Sequence, residues 1–102
     1  MPAFWVARSK INDAVTYKKY TDLVPGILVK HGGKILSRGA EYQILEGPTK
    51  FERFVIVEFP TLAAGVGCFE SDEYQSAAAH RRANGAGEVE LVMLGAGDGT
   101  KR

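Results

Sequence analysis

A chain of 102 residues is large enough for one domain with a single hydrophobic core, and it is too short for a second such domain. Its 13 basic and 12 acidic side chains nearly cancel and are spread along the sequence, so no charged stripe indicates a nucleic acid or an anionic membrane as partner. The single cysteine, Cys68, excludes an intrachain disulfide and a cysteine-based zinc site, and we expect a cytoplasmic protein with neither metal nor cofactor.

The first segment, AFWVARS (Ala3 to Ser9), is short and rich in aromatic and branched residues, which predicts a strand. The residues before it do not form a basic stretch followed by an apolar one, as a signal peptide would. No apolar run reaches the roughly 18 residues that a membrane-spanning helix needs. We therefore expect a soluble chain without a targeting segment.

The second segment, INDAVTYKKYTDLVPGILVKHGG, has apolar residues at helical spacing. Asn12 or Asp13 can cap the N-terminus of this helix. Gly32 or Gly33 can adopt the left-handed conformation that ends it. Because Pro25 lacks a backbone donor, we expect a kink or a short break around the proline.

From Lys34 the pattern changes to a period of two, KILSRGAEYQILEG, which predicts a second strand that a bulge at Gly39 divides. The stretch EGPTKFE predicts a turn. RFVIVEFP (Arg53 to Pro60) has four consecutive apolar residues and ends in a proline. We expect this third strand at the centre of a sheet.

Two helices and a strand complete the predicted elements. Thr61 and Ser71 can each cap a helix, so TLAAGVGCFESDEYQSAAAHRRANG predicts a short helix followed by a longer one. EVELVML (Glu88 to Leu94) alternates as a last strand. We expect residues 1–94 to form the single domain and the glycine-rich residues 95–102 to form a flexible tail.

The order strand, helix, strand, strand, helix, strand predicts an α+β ferredoxin-like βαββαβ fold, in which helices cover one face of a four-stranded antiparallel sheet. The other face is also apolar, because large side chains occupy both parities of the strands, as in Phe4 and Trp5 or Val55 and Ile56. Each large apolar side chain left in water forgoes about 1.5 to 3 kcal/mol. We therefore expect a homodimer in which a second copy covers this face, and the alternative is a monomer that exposes it.

Six motifs occur along the chain in a characteristic order: FWVAR, YKKY, HGGKILSRG, LEG, RFVIVEFP and FESDEYQSAAAHRR. In this combination they resemble the domain of unknown function 1330 family, which belongs to the dimeric α+β barrel superfamily. The resemblance covers nearly the whole chain except the tail, and it implies a ferredoxin-like homodimer with no established reaction. Related branches of that superfamily include cofactor-independent monooxygenases, lactone isomerases and haem-handling enzymes. Gly65, Gly67 and Cys68 depart from the expected pattern and predict a weaker helix there.

Arg8 and Glu58 are charged residues late in the first and third predicted strands. We expect these strands to be parallel neighbours, so that both side chains emerge at the same end of the sheet. Charges on apolar strands are costly unless they are paired or face a wet cavity. Two interpretations remain open, a structural ion pair or a site in which Glu58 is a base and Arg8 orients an anionic substrate.

Other candidate residues have polar groups near helix ends or strand bulges. Arg38 can bind a carboxylate, or it can bond to helix-end carbonyls or to a partner subunit. His31 is a helix cap, or else a ligand or base at the mouth of a cleft between helices and sheet. Arg81 is a candidate for contact with an anion. Three tyrosines on apolar helix faces can line a small pocket or pack in the core with a wetted hydroxyl group: Tyr17, Tyr20 and Tyr74.

Three functional hypotheses follow. The first is a homodimer that binds a small, partly apolar, anionic molecule in a cleft between sheet and helices, using Arg8, Arg38, His31 and Glu58. The second is a cofactor-independent isomerase or monooxygenase with Glu58 or His31 as general base. The third is a structural dimer without a ligand. The expected partners are a second copy of the chain and a small molecule, with no nucleic acid and no membrane.

Overall fold

A computed structural model of the chain describes residues 1–97. Within that range four strands form one antiparallel sheet in the order β2-β3-β1-β4. The ferredoxin-like α+β prediction is confirmed. Residues 98–102 of the predicted tail lie outside the described residues. The elements in chain order are β1 (Ala3–Ile11), α1 (Ala14–Lys30), β2 (Lys34–Ser37), β3 (Arg53–Phe59), α2 (Leu62–Glu70), α3 (Asp72–Arg82), a 3-10 turn (Ala83–Gly85) and β4 (Gly87–Gly95).

The first helix begins and ends at the residues that the sequence indicates. The Asp13 carboxylate caps it by accepting a hydrogen bond from the backbone N–H of Thr16 at 3.2 Å. Gly32 follows its last turn with a φ of +89°. Of the predicted kink or short break at Pro25, the break is wrong, since α1 is continuous through the proline. Buried side chains on both sides of the proline, Val24 and Leu28, pack into the same core and hold the helix together.

Length and apolar character together decide whether a helix can cross a membrane. The longest helix in residues 1–97 is α1, with 17 residues. No helix in that range is both long and apolar enough to span a bilayer.

The second strand is much shorter than the alternating pattern indicates. It has four residues, and its register shift lies between Ile35 and Ser37, so the prediction of a bulge at Gly39 is wrong. Residues 38–52 form no helix or strand. The alternation there does not reflect burial, because Leu45 is 88% exposed. A period of two predicts a strand only where one parity packs on a core.

The sheet has one face covered by helices and one open face. On the covered face, Trp5 packs edge-on against Tyr74 of α3, with ring centroids 5.2 Å apart. On the open face, Val6 lies directly between Ile56 and Val92 in the register of the three strands. These three side chains are 39%, 39% and 60% exposed. The prediction that both faces are apolar is confirmed.

The predicted parallel arrangement of β1 and β3 is wrong. The two strands are antiparallel neighbours, with Phe4 opposite Glu58 and Arg8 opposite Phe54. In a βαββαβ chain the first crossover makes β1 and β2 parallel, and the return from β2 then reverses the direction of β3. Arg8 and Glu58 are therefore four positions apart along the sheet, or roughly 13 Å at the usual rise of a strand.

Candidate functional site

A cleft lies between α1 and the covered face of the sheet, and we call it the helix-side cleft. Its volume is about 30 Å³, which is room for one or two water molecules. Apolar side chains make up most of its wall, together with two arginines, two tyrosines, a serine and a threonine. The lining residues are Trp5, Ala7, Ser9, Tyr17, Tyr20, Thr21, Val24, Pro25, Leu28, Ile35, Arg38, Arg53, Val55 and Val89.

Three of the candidate residues from the sequence line this cleft, namely Tyr17, Tyr20 and Arg38. Three further polar residues there, Ser9, Thr21 and Arg53, were missed. Strand parity could have found Ser9 and Arg53, because Ser9 follows Trp5 and Ala7 at spacing two and Arg53 precedes Val55 and Val57 in the same way. The candidate binding residues therefore include a second arginine.

The two arginines of the cleft lie at the two ends of the long loop between β2 and β3. Arg38 directly follows β2 and is exposed, whereas Arg53 begins β3 and is half-buried. Among residues 1–97, the structure records neither an ion pair nor a hydrogen bond to either guanidinium group. Each guanidinium has five N–H donors, so this part of the cleft wall can bind an anion.

Buried hydroxyl groups connect the cleft to α3. The hydroxyl group of Tyr17 donates to Ser9 Oγ at 3.0 Å. The Tyr20 and Tyr74 hydroxyl oxygens are 2.8 Å apart, and Arg81 donates to the Tyr74 oxygen at 3.4 Å. The guanidinium carbon of Arg81 also lies 5.2 Å from the centre of the Tyr20 ring. Of the predicted ligand-binding residues, Tyr74 and Arg81 thus lie behind the cleft wall and reach it only through Tyr20.

The environment of this network fixes its protonation states. Burial disfavours the phenolate and raises the pKa of Tyr20 well above its usual value. Burial alone would lower the pKa of Arg81, but its hydrogen bond to Tyr74 and the nearby Tyr20 outweigh that effect, so the pKa of the guanidinium is raised. Tyr20 is therefore a neutral hydroxyl group beside a permanent positive charge.

His31 lies outside the helix-side cleft, at the C-terminus of α1. Its Nε2 atom is 2.8 Å from Oε1 of Glu73, and Lys30 Nζ is 3.2 Å from the other carboxylate oxygen. The hydrogen bond from His31, followed by that from Lys30, lowers the pKa of Glu73. These contacts join the end of α1 to the first turn of α3, which supports the structural interpretation of His31.

Arg8 and Glu58 belong to the open face of the sheet. Arg8 pairs with Glu90 at 2.7 Å instead of with Glu58, and it lies 4.2 Å from the centre of the Phe51 ring. Arg8 also lines an open-face groove of about 360 Å³. Glu58 lies opposite Lys34 in the register of β2 and β3. Neither residue is part of the helix-side cleft, so the prediction that both act there is wrong.

Cys68 is the single thiol of the chain, and its surroundings make it unreactive. Cys68 is fully buried, and this burial raises its pKa to about 11. A thiol with so high a pKa is a poor nucleophile at neutral pH. In the same range no group of three or more His, Cys, Asp or Glu side chains is arranged to hold a metal ion.

A family model described as "Domain of unknown function (DUF1330)" matches residues 2–94. No match to the chain was found among curated proteins.

Several solved structures share the fold at low sequence identity. The RPA0582 protein of unknown function from Rhodopseudomonas palustris is 22% identical over 91% of this chain and 80% of its own, with a TM-score of 0.72. A dimeric ferredoxin-like protein of unknown function from Jannaschia sp. CCS1 is 10% identical over 93% of this chain and 99% of its own, with a TM-score of 0.69. SnoaB, a cofactor-independent oxygenase from Streptomyces nogalater, is 11% identical over 93% of this chain and 92% of its own, with a TM-score of 0.62. At such identities the likeness establishes the fold alone.

Proposed function

Because this chain belongs to the DUF1330 family, a domain of unknown function, we propose a function from the chemistry of its own sites. The protein is a homodimer that binds a small, partly apolar anion in the helix-side cleft. The anion lies against Arg38 and Arg53, and its apolar part contacts the aromatic and aliphatic wall. The dimer forms through the open face of the sheet.

The pair of arginines without partners is the observation that carries the ligand proposal. A guanidinium group usually binds a carboxylate or phosphate through two parallel hydrogen bonds. Arg38 and Arg53 line one small cleft, and neither has an ion-pair partner within residues 1–97. A volume of about 30 Å³ has room for little more than the carboxylate group itself. The smallest carboxylic acids therefore fit the site better than a nucleotide or a sugar phosphate.

The ligand proposal is tested by titrating the protein with propionate. Propionamide has nearly the same shape without the negative charge, so we expect it to bind at least tenfold more weakly. Replacing both arginines, Arg38→Gln with Arg53→Gln, is expected to weaken propionate binding by about tenfold or more, since a hydrogen bond to a charged group is worth about 1.5 to 3 kcal/mol. Isothermal titration calorimetry measures both effects.

Arg82→Gln is the control, because it makes the same chemical change as each of the two replacements, at an exposed position on α3 that does not line the cleft. We expect this variant to bind propionate as the wild type does. Equal affinities for propionate and propionamide would contradict the proposal. So would an effect of Arg82→Gln as large as that of the double variant, because binding would then follow net charge and not the cleft.

The apolar open face supports the dimer proposal. Val6, Ile56 and Val92 form a continuous stripe across three strands, and Leu94 next to it is 57% exposed. A monomer rarely leaves such a patch in water. Two solved neighbours, from Jannaschia sp. CCS1 and Bacteroides fragilis, are dimeric ferredoxin-like proteins. A second copy of this chain is therefore the proposed occupant of the open face.

A cofactor-independent isomerase or oxygenase is the alternative, and the fold that the chain shares with SnoaB favours it. The two predicted bases give it little support. His31 is hydrogen-bonded to Glu73 at the end of α1, and Glu58 lies on the sheet face opposite the helix-side cleft. A general base has to reach the proton that it removes, directly or through one water molecule. Ligand binding without catalysis is therefore the function that we propose first.

A further inference from the structure

A chain of three polar groups leads from the buried side of α3 to the helix-side cleft. Arg81 is 6% exposed and Tyr74 is fully buried, so neither can satisfy its hydrogen bonds with bulk water. A guanidinium group has donors and no acceptor. In the 3.4 Å contact between them, Arg81 must therefore donate to the hydroxyl oxygen of Tyr74.

The direction of the next hydrogen bond follows from the single proton of Tyr74. The Tyr20 oxygen, 2.8 Å away, is the one acceptor that the structure records for this proton within residues 1–97. If Tyr20 were the donor, the Tyr74 proton would be buried without an acceptor, which carries a full desolvation penalty. Tyr74 therefore donates to Tyr20.

The same reasoning applies to the hydrogen bond that the Tyr20 hydroxyl group donates. With its oxygen accepting from Tyr74, the Tyr20 O–H needs an acceptor other than Tyr74. Tyr20 lines the helix-side cleft, whereas the neighbouring Tyr17 hydroxyl is engaged with Ser9. Because burial raises the pKa of Tyr20, the group stays protonated and remains a donor.

We infer that Tyr20 is a third ligand-binding donor of the cleft, which Arg81 and Tyr74 hold in one direction as positioning residues. With Arg38 and Arg53, the cleft then presents donors on two sides, and its ligand is a carboxylate whose oxygens accept from Tyr20 and from the arginines. Ammonium and amine ligands are disfavoured, because their own N–H groups need acceptors, whereas these side chains present donors. This inference rests on the proposed function of the cleft and adds the residue opposite the arginines.

Tyr20→Phe tests the donor directly, since it removes one oxygen and keeps the ring. We expect about tenfold weaker propionate binding by calorimetry, as for loss of a hydrogen bond to a charged group. Tyr42→Phe is the matched control on the loop next to the open face, where Tyr42 contacts Phe54. We expect its propionate affinity to stay within twofold of the wild-type value.

The positioning role of Arg81 and Tyr74 is tested by a measurement that a loss of stability alone would not change. In protein labelled with ¹³C at the tyrosine Cζ atom, propionate is expected to shift the Tyr20 resonance. Tyr74→Phe and Arg81→Met are expected to reduce this shift at saturating propionate, whereas Arg81→Lys keeps a cationic donor and is expected to restore part of it. Thermal melts report in parallel whether each variant is folded.

The outcomes separate the two proposals. If Tyr20→Phe binds propionate as the wild type does while the Arg38 and Arg53 double variant does not, the inference is overturned and the proposed function stands. If wild-type protein binds no propionate, both are overturned. If Tyr74→Phe does not fold, the comparison of Arg81→Lys with Arg81→Met still tests the positioning role. A propionate-induced shift of the Tyr20 resonance that is as large in both variants as in the wild type would overturn that role.

Discussion

Two adjacent glycines after α1 are required for different reasons. Gly32 has a φ of +89°, in the left-handed region that favours glycine. Gly33 is required for space, because its backbone N–H donates to Leu28 O at 2.8 Å and an added Cβ would lie 2.7 Å from that same oxygen. Val57 and Phe59 side-chain atoms would lie 3.1 Å away. The sequence indicates a helix end here, but the close approach to the sheet is visible only in the fold.

Gly33→Ala is therefore expected to lower the free energy of unfolding by about 1 to 3 kcal/mol, as overpacking of a dense site does. Gly39→Ala is the control, because an added Cβ there meets nothing within 4 Å. We expect it to change the free energy of unfolding by less than about 0.5 kcal/mol. Urea denaturation measures both, and equal effects of the two substitutions would contradict this account.

Individual site residues were predictable to different degrees. Helical spacing and residue type were enough to identify Tyr17 and Tyr20 as pocket candidates. Arg53 was missed, although its parity with Val57 places it on the covered face. The pairing of Arg8 with Glu58 was wrong because it depended on strand direction, which no single residue reveals. The actual partner of Arg8, Glu90, lies on β4 and is 82 residues away in sequence.

At the scale of elements, the contact between α1 and α3 depends on Glu73. Its carboxylate accepts from His31 and Lys30, and this lowers its pKa below the ordinary value of 4.5. A carboxyl group whose pKa is lower in the folded state stabilises the fold above its unfolded pKa. That stability is lost as the pH falls through the folded pKa.

Glu73→Gln is expected to lower the melting temperature at pH 7, and this effect is expected to shrink as the pH falls and the wild-type carboxyl group becomes protonated. The control is Glu70→Gln on α2, an exposed carboxylate with no recorded ion pair in residues 1–97. Thermal melts between pH 2.5 and 7 measure the difference. A loss of melting temperature that is the same at every pH would show that Glu73 acts by something other than its charge.

The elements themselves were largely predictable, since capping residues and hydrophobic periodicity predicted the helices, the strands and the order in which they follow along the chain. The exceptions have physical reasons. Pro25 does not break α1, because the helix packs on the core at both sides of it. The segment 38–46 alternates like a strand, yet β2 ends at Ser37. Local pattern cannot reveal whether a neighbouring strand is available for pairing.

At the scale of the whole molecule, the sheet has two apolar faces with different roles. The covered face packs on the helices and contains the helix-side cleft, and the open face is proposed to pack on a second copy. The sequence predicted both apolar faces, because large side chains occupy both parities of the strands. It did not predict that Arg8 and Glu58 belong to the open face, since the cleft was expected to use them.

Val92 gives the dimer proposal a specific test. Val92→Lys places a charge within the apolar stripe of the open face and is expected to shift the protein to monomer, because burying an unpaired charge is costly. Val29→Lys on α1 is the matched control, with 61% exposure against 60% for Val92. It makes the same chemical change away from the open face, so we expect it to leave the assembly intact.

Sedimentation equilibrium of the wild-type protein, at tens of micromolar and below, tests the central claim most directly. The expected mass is twice the 11.1 kDa of the chain, with Val29→Lys the same and Val92→Lys close to the mass of one chain. A wild-type protein that sediments as a single, well-behaved 11.1 kDa species across this range would contradict the account.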